Sequence, residues 1–155
     1  MALRKIVVEG DEILRKKCRE VEKVDDRIRS ILDDMLETLH DSHGVGIAAP
    51  QVGIMRRMFI VEVEEGDAIE LINPRMIKQE GAAEGEEGCL SIPGYVGTVV
   101  RPEYVKIEGL NRNGEKIVCE GRGLKAVAFC HEYDHLDGIL YTDKATEVHL
   151  ADEED

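Results

Sequence analysis

The pentapeptide His131-Glu132-Tyr133-Asp134-His135 constrains this chain more than any other stretch. Two imidazoles four residues apart serve one ion only if the segment is helical, because 3.6 residues per turn puts positions i and i+4 on nearly the same face. On such a helix Glu132 lies about 100° around from His131, close enough to hold a water beside the ion without being a ligand itself. That is the arrangement of a metal-assisted hydrolase with a general base. Composition alone gives about 0.02 accidental HExxH matches in a chain with five His, so the bland alternative, a polar helix with two surface histidines, has to be weighed against the rest of the sequence.

A hydrolytic site of this kind takes three protein ligands and leaves one position open, so the two histidines need a Cys, His, Asp or Glu from elsewhere. The motif continues through Leu136-Asp137-Gly138 and places Tyr141 where an HExxHxxGxxH protease carries its third His. A thermolysin-like protease uses a Glu beyond the helix, and Glu147 is the first Glu in the residues that follow. Upstream, Glu87-Gly88-Cys89-Leu90-Ser91 offers a cysteine next to a glycine, where the backbone can come close and a thiolate suits iron or zinc.

The remaining sequence reads as one domain, 1–155, long enough to bury a core and without a linker. A formal net charge of -13 argues against a nucleic-acid backbone as partner. The start turns acidic at Glu9 before any signal-like apolar run, and no stretch reaches membrane-spanning length, so a soluble, cytoplasmic protein with no membrane partner is expected. Cys18, Cys89, Cys119 and Cys130 form no CxxC pair, and Cys18 and Cys119 read as buried hydrophobes.

Val24, Ile28, Ile31, Leu32, Met35, Leu36 and Leu39 recur at helical spacing, with Asp25 or Asp26 available as N-cap. Gly44-Val45-Gly46-Ile47-Ala48-Ala49-Pro50-Gln51 reads as a tight loop. Strands are expected at Met58–Val63, Ile69–Ile72, Tyr95–Val100, Tyr104–Leu110 and Glu115–Glu120, the last two joined by an Asn113-Gly114 hairpin. Leu124, Val127, Ala128, His131 and His135 share one face of the HExxH helix, which reads mainly as core. The acidic end, 151–155, reads as frayed.

Three segments in this order resemble bacterial peptide deformylases: Gly44 to Gln51 matches GxGxAAPQ, Glu87 to Ser91 matches EGCLS, and His131 to His135 matches HExDH. The resemblance runs from Ala2 to about Leu140. It implies an α+β fold in which antiparallel or mixed sheets surround a central HExxH-bearing helix, with an N-terminal helix packed outside. It implies a hydrolase that releases formate from the formyl-methionine of nascent polypeptides, acting at the ribosome. Cys89, His131 and His135 would bind one divalent metal, with Fe(II) native and Zn(II), Ni(II) or Co(II) able to substitute. Glu132 would move the proton, while the Gln51 side-chain amide and the Leu90 backbone N–H would face the oxyanion. Gly44 and Gly46 would let their loop approach the metal, and Val45, Val127 and Ala128 would line a pocket for the methionine side chain. Two departures stand out: Cys130 replaces a Gln common in relatives, and no long C-terminal helix follows the third motif. For the second sphere, a ligand imidazole is expected to donate its other N–H to Asp134, Asp137 or a backbone carbonyl. Glu87 and Arg101 could pair near the Cys89 strand, but a solvated charge is the expected fate of each. A zinc endopeptidase using Glu147, and a non-catalytic relative with a broken ligand or a missing Glu, are the rival readings. Neither kind of break is present.

Overall fold

A computed structural model describes residues 2–151. Of the acidic end, residues 152–155 lie outside the described residues. Helix α1 spans Asp26–Ser42 and starts where Asp25 accepts the Ile28 N–H at 3.1 Å, which satisfies one of the orphan donors of the first turn. Ile28, Ile31, Leu32, Met35 and Leu39 form its buried stripe, and His43 ends it in the left-handed region at φ 58°. After it come β1 (Gly46–Ala48), a 3-10 turn at Ala49–Val52, β2 (Met58–Val61), β3 (Ile69–Glu80), β4 (Ala83–Cys89) and β5 (Ile92–Arg101). Then follow β6 (Tyr104–Leu110), β7 (Lys116–Arg122), helix α2 (Leu124–His135) and β8 (Glu147–Leu150).

The strands make two antiparallel sheets, one in the order β1-β2-β3-β6-β7 and one in the order β4-β5-β8. Helix α2 lies between them. Ala126, Ala128, Phe129 and Cys130 are buried, and the Phe129 ring meets Phe59 of β2 with centroids 6.3 Å apart. Helix α1 covers the first sheet with a separate apolar cluster that includes Ile47, Ile60 and Ile72. The expected α+β architecture, with α2 central and α1 outside, is the one observed.

Local boundaries differ from the sequence reading where tertiary pairing adds residues. The expected loop at 44–51 contains β1, because Gly46, Ile47 and Ala48 pair with Val61, Ile60 and Phe59. Strand β3 runs eight residues past Ile72 because β6 continues beside it with register shifts near Asn73 and Pro74. The apolar stripe of α2 is not all core: Leu124 is exposed and Val127 only half-buried.

Gly138 closes the turn after α2. At φ 74° its Cβ position would fall 2.5 Å from the Arg15 carbonyl oxygen, so the turn meets the N-terminal segment backbone to backbone. The Cys18 N–H then donates to the Leu136 carbonyl at 2.8 Å. Both the positive φ and the contact penalise a side chain, so Gly138→Ala is expected to destabilise the fold by more than about 1 kcal/mol. Chemical denaturation checks this; an unchanged midpoint contradicts the close approach.

Candidate active site

Cys89 at the end of β4 and His131 and His135 on α2 place their ligand atoms within 4.8 Å of one another. Helix geometry brings the two imidazoles together, with ring centroids 5.1 Å apart. The Cys89 Sγ lies 3.4 Å from His135 Nε2. A soft sulfur and two imidazole nitrogens form a donor set that suits iron, zinc, cobalt or nickel.

The tautomer of His131 is fixed from outside. Its Nδ1 is 2.9 Å from Glu87 Oε1, and Glu87 is held ionised, its carboxyl lowered to about 2. Burial opposes that ionisation, but hydrogen bonds from Arg101 and His131 overcome it. A carboxylate only accepts, so His131 Nδ1–H donates and Nε2 keeps its lone pair for an ion. Arg101 holds Glu87 through Nε and Nη2 at 2.7 and 2.9 Å, and gives Nη1 to Asp134 at 2.7 Å. Lys144 reaches the same Asp134 oxygen at 3.0 Å. This corrects the reading of Glu87 and Arg101 as solvated: they are 7% and 3% exposed. The second-sphere acceptor for His131 is Glu87, while Asp134 and Asp137 receive arginines instead, Asp137 from Arg57 at 2.9 Å.

Glu132 is buried, and loss of solvent raises its carboxyl to about 7 despite the nearby His131. Its Oε1 has no hydrogen-bond partner among the described residues. A buried polar atom of this kind is costly unless something bonds to it, so the site is built for a further ligand or water. A carboxyl poised near neutrality is suited to take and return a proton.

The side chain of Gln51 is oriented by two contacts. Its Oε1 accepts the Ala48 N–H at 2.9 Å, which turns its amide group toward Ser91 Oγ at 3.1 Å and Cys89 Sγ at 3.6 Å. His43, Gly44, Val45, Gly46, Gln51, Leu90, Val127, Ala128 and Glu132 line one cleft of about 390 Å³ together with Cys89 and His131. Thus all the sequence-derived site residues except His135 line this cleft, and His135 reaches it through Cys89. A larger cavity of about 730 Å³, lined in part by Cys18, Arg57 and Tyr133, holds none of them. Ser91 carried no signal beyond its place inside the EGCLS segment; for Glu87 the chance of a pair with Arg101 was legible, but not its hydrogen bond to His131.

The four cysteines are all free. Burial pushes the Cys18 and Cys130 thiols up to about 11, which makes them inert packing groups. Cys130 contributes to the core beside Phe129. Cys119 is only half-buried, its thiol also raised chiefly by burial.

The two glycines of the loop differ in what they approach. A Cβ on Gly46 would stand 2.6 Å from Glu132 Oε2, whereas one on Gly44 would meet the Leu39 and Leu90 side chains at 3.1 and 3.2 Å. Gly46 therefore makes room for the carboxyl, and Gly44 for apolar packing. Gly46→Ala is expected to displace Glu132 and lower turnover on the order of 10²-fold, the effect of misplacing a reacting group by about 1 Å. Steady-state kinetics beside a melting curve checks this; full turnover in a folded variant contradicts it.

Residues 3–151 match the family described as Polypeptide deformylase. A peptide deformylase of Acetivibrio thermocellus is 54% identical over 155 residues, covering 100% of this chain and 89% of that protein. Peptide deformylase 2 of Clostridium acetobutylicum is 57% identical over 148 residues, covering 95% and 98%. The crystal structure of the Ehrlichia chaffeensis peptide deformylase in complex with actinonin superposes with a TM-score of 0.92 at 35% identity, covering 95% of this chain and 91% of that one. Family match, full-length relatives, fold and the convergence of the three motifs agree, and the chain belongs to the peptide deformylase family of hydrolases.

Proposed function

We propose that this enzyme removes the formyl group from formyl-methionine at the N-terminus of nascent polypeptides, in the cytoplasm and at the ribosome, using one divalent metal held by Cys89, His131 and His135. The native ion in this reading is Fe(II), with Zn(II), Ni(II) or Co(II) as substitutes. The observation that carries the reading is the buried Oε1 of Glu132, without a hydrogen-bond partner among the described residues, beside the three metal-competent donors Cys89, His131 and His135. Bound there, a divalent ion would supply Lewis acidity that lowers the pKa of a water toward neutrality.

The protein groups do the rest. Glu132 takes a proton as water attacks the formyl carbon, forming a tetrahedral intermediate. The Gln51 amide and the Leu90 N–H donate to its oxyanion, a type of contact worth about 10² to 10³ in rate. The C–N bond then breaks, Glu132 returns the proton to the departing amine, and formate leaves. A formyl carbon bears only hydrogen beyond its oxygen and nitrogen, so the confined space among Gly46, Gln51 and Glu132 favours it over bulkier acyl groups. Val45, Val127 and Ala128 give the cleft an apolar wall for the methionine side chain.

Nothing favours the endopeptidase alternative: Glu147 is exposed on β8 opposite Thr98 and is outside the metal-competent group. No helix among the described residues is long and apolar enough to cross a membrane. The test is formate release from formyl-Met-Ala-Ser under anaerobic conditions with Fe(II)- and Zn(II)-loaded protein. Glu132→Gln is expected to keep the metal and lose formate release; Cys89→Ala is expected to lose the metal and Glu147→Ala to keep both. Activity surviving in Glu132→Gln, or metal lost from Glu147→Ala but not from Cys89→Ala, contradicts the proposal.

A further inference from the structure

The geometry points to Ser91 as a positioning residue that aims the Gln51 amide at the reacting carbonyl, an inference that rests on the proposed oxyanion function of Gln51. A glutamine side chain has one acceptor oxygen and two N–H donors. The Ala48 N–H can only donate, so its 2.9 Å contact fixes which end of the amide is oxygen. One N–H then goes to Ser91 Oγ at 3.1 Å. The amide is planar, so with Oε1 and one N–H both held, the direction of the second N–H is fixed as well. It faces Cys89, whose Sγ accepts it at 3.6 Å from Nε2; sulfur is a weak acceptor, so an oxyanion beside it competes well for the same N–H. Gln51 is 1% exposed and Ser91 is fully buried, so no bulk water competes for either group.

The two residues sit on separate segments, Gln51 in the turn after β1 and Ser91 in the turn between β4 and β5. Their separation is set by a backbone strap. The Val7 N–H donates to the Gln51 carbonyl and the Glu9 N–H to the Ser91 carbonyl, both at 2.7 Å. Alternate residues of an extended segment present their N–H groups on the same edge, so residues 7 and 9 span the two turns as a two-point clamp. Ser91 is thus held at its backbone by the strap and uses its hydroxyl to hold Gln51.

A kinetic double-mutant cycle tests this in the metal-loaded enzyme, using Ser91→Ala and Gln51→Met on formyl-Met-Ala-Ser. Ser91→Ala is expected to lower kcat about tenfold with KM and metal content unchanged, and to have no further effect in the Gln51→Met background, since two groups acting through one contact are not additive. The second readout is the Gln51 side-chain amide in a ¹H–¹⁵N spectrum: its two protons are expected to be widely separated in the wild type and to converge in Ser91→Ala. Unchanged kcat in Ser91→Ala, the same fold-loss in both backgrounds, or an amide signal indifferent to Ser91 overturns the inference while leaving Gln51 as an oxyanion donor. Full kcat in Gln51→Met instead removes the Gln51 assignment itself. Should Ser91→Ala not fold, Glu9→Pro, which deletes the strap's N–H to the same residue, is expected to give the same kcat loss, and wild-type kcat in it overturns the inference.

Discussion

The fork between the Arg101 guanidinium and the Glu87 carboxylate holds the site together. Glu87 is on β4, two residues before Cys89; Arg101 ends β5; Asp134 and His131 are on α2. One buried cation therefore ties the strand that carries the sulfur to the helix that carries the imidazoles. The same contact keeps Glu87 ionised, which in turn fixes the tautomer of His131. Buried ion pairs often contribute little net stability, because desolvation offsets attraction. Here the pair is better understood as a geometric device: removing Arg101 would leave the Glu87 charge without its cation beside His131, a cost of about 3–5 kcal/mol, whereas without Glu87 the guanidinium would still have Asp134.

Around that anchor the environments of the carboxylates diverge. Glu87 is surrounded by donors and stays charged, whereas Glu132 is more deeply buried, its Oε1 has no hydrogen-bond partner among the described residues, and burial raises it to near neutrality. Two glutamates lining one cleft thus differ in protonation because their surroundings differ. The separation depends on close backbone approach at Gly46, which leaves the Glu132 carboxyl its space. A side chain there would overlap the carboxyl, so the packing of the loop and the position of Glu132 both depend on the missing Cβ.

Much of this was legible in the sequence, for identifiable reasons. The 3.6-residue spacing of Ile28, Ile31, Leu32, Met35 and Leu39 and the cap at Asp25 are local signals, and α1 formed where they placed it. The spacing of His131 and His135 likewise needed only helix geometry. Cys89 was a candidate by residue type, and only the resemblance chose it over Glu147. What sequence could not show is what depends on distant pairing. Segment 83–89, with three glutamates and two glycines, lacks strand composition and becomes β4 because β5 pairs with it. Glu87 and Arg101 look like surface charges until the β4–β5 register and α2 enclose them. Leu124 belongs by periodicity to a buried stripe, yet α2 begins at the cleft mouth and leaves it exposed.

Cys89, His131 and His135 form a mixed sulfur–nitrogen donor set built from three separated residues. X-ray absorption spectroscopy of the zinc-loaded protein tests that most directly. The expected first shell holds one sulfur at about 2.3 Å and two imidazole nitrogens at about 2.0–2.1 Å. A shell without sulfur, or one unchanged in Cys89→Ala, would contradict the assignment of Cys89 as the ligand that completes the HExxH helix.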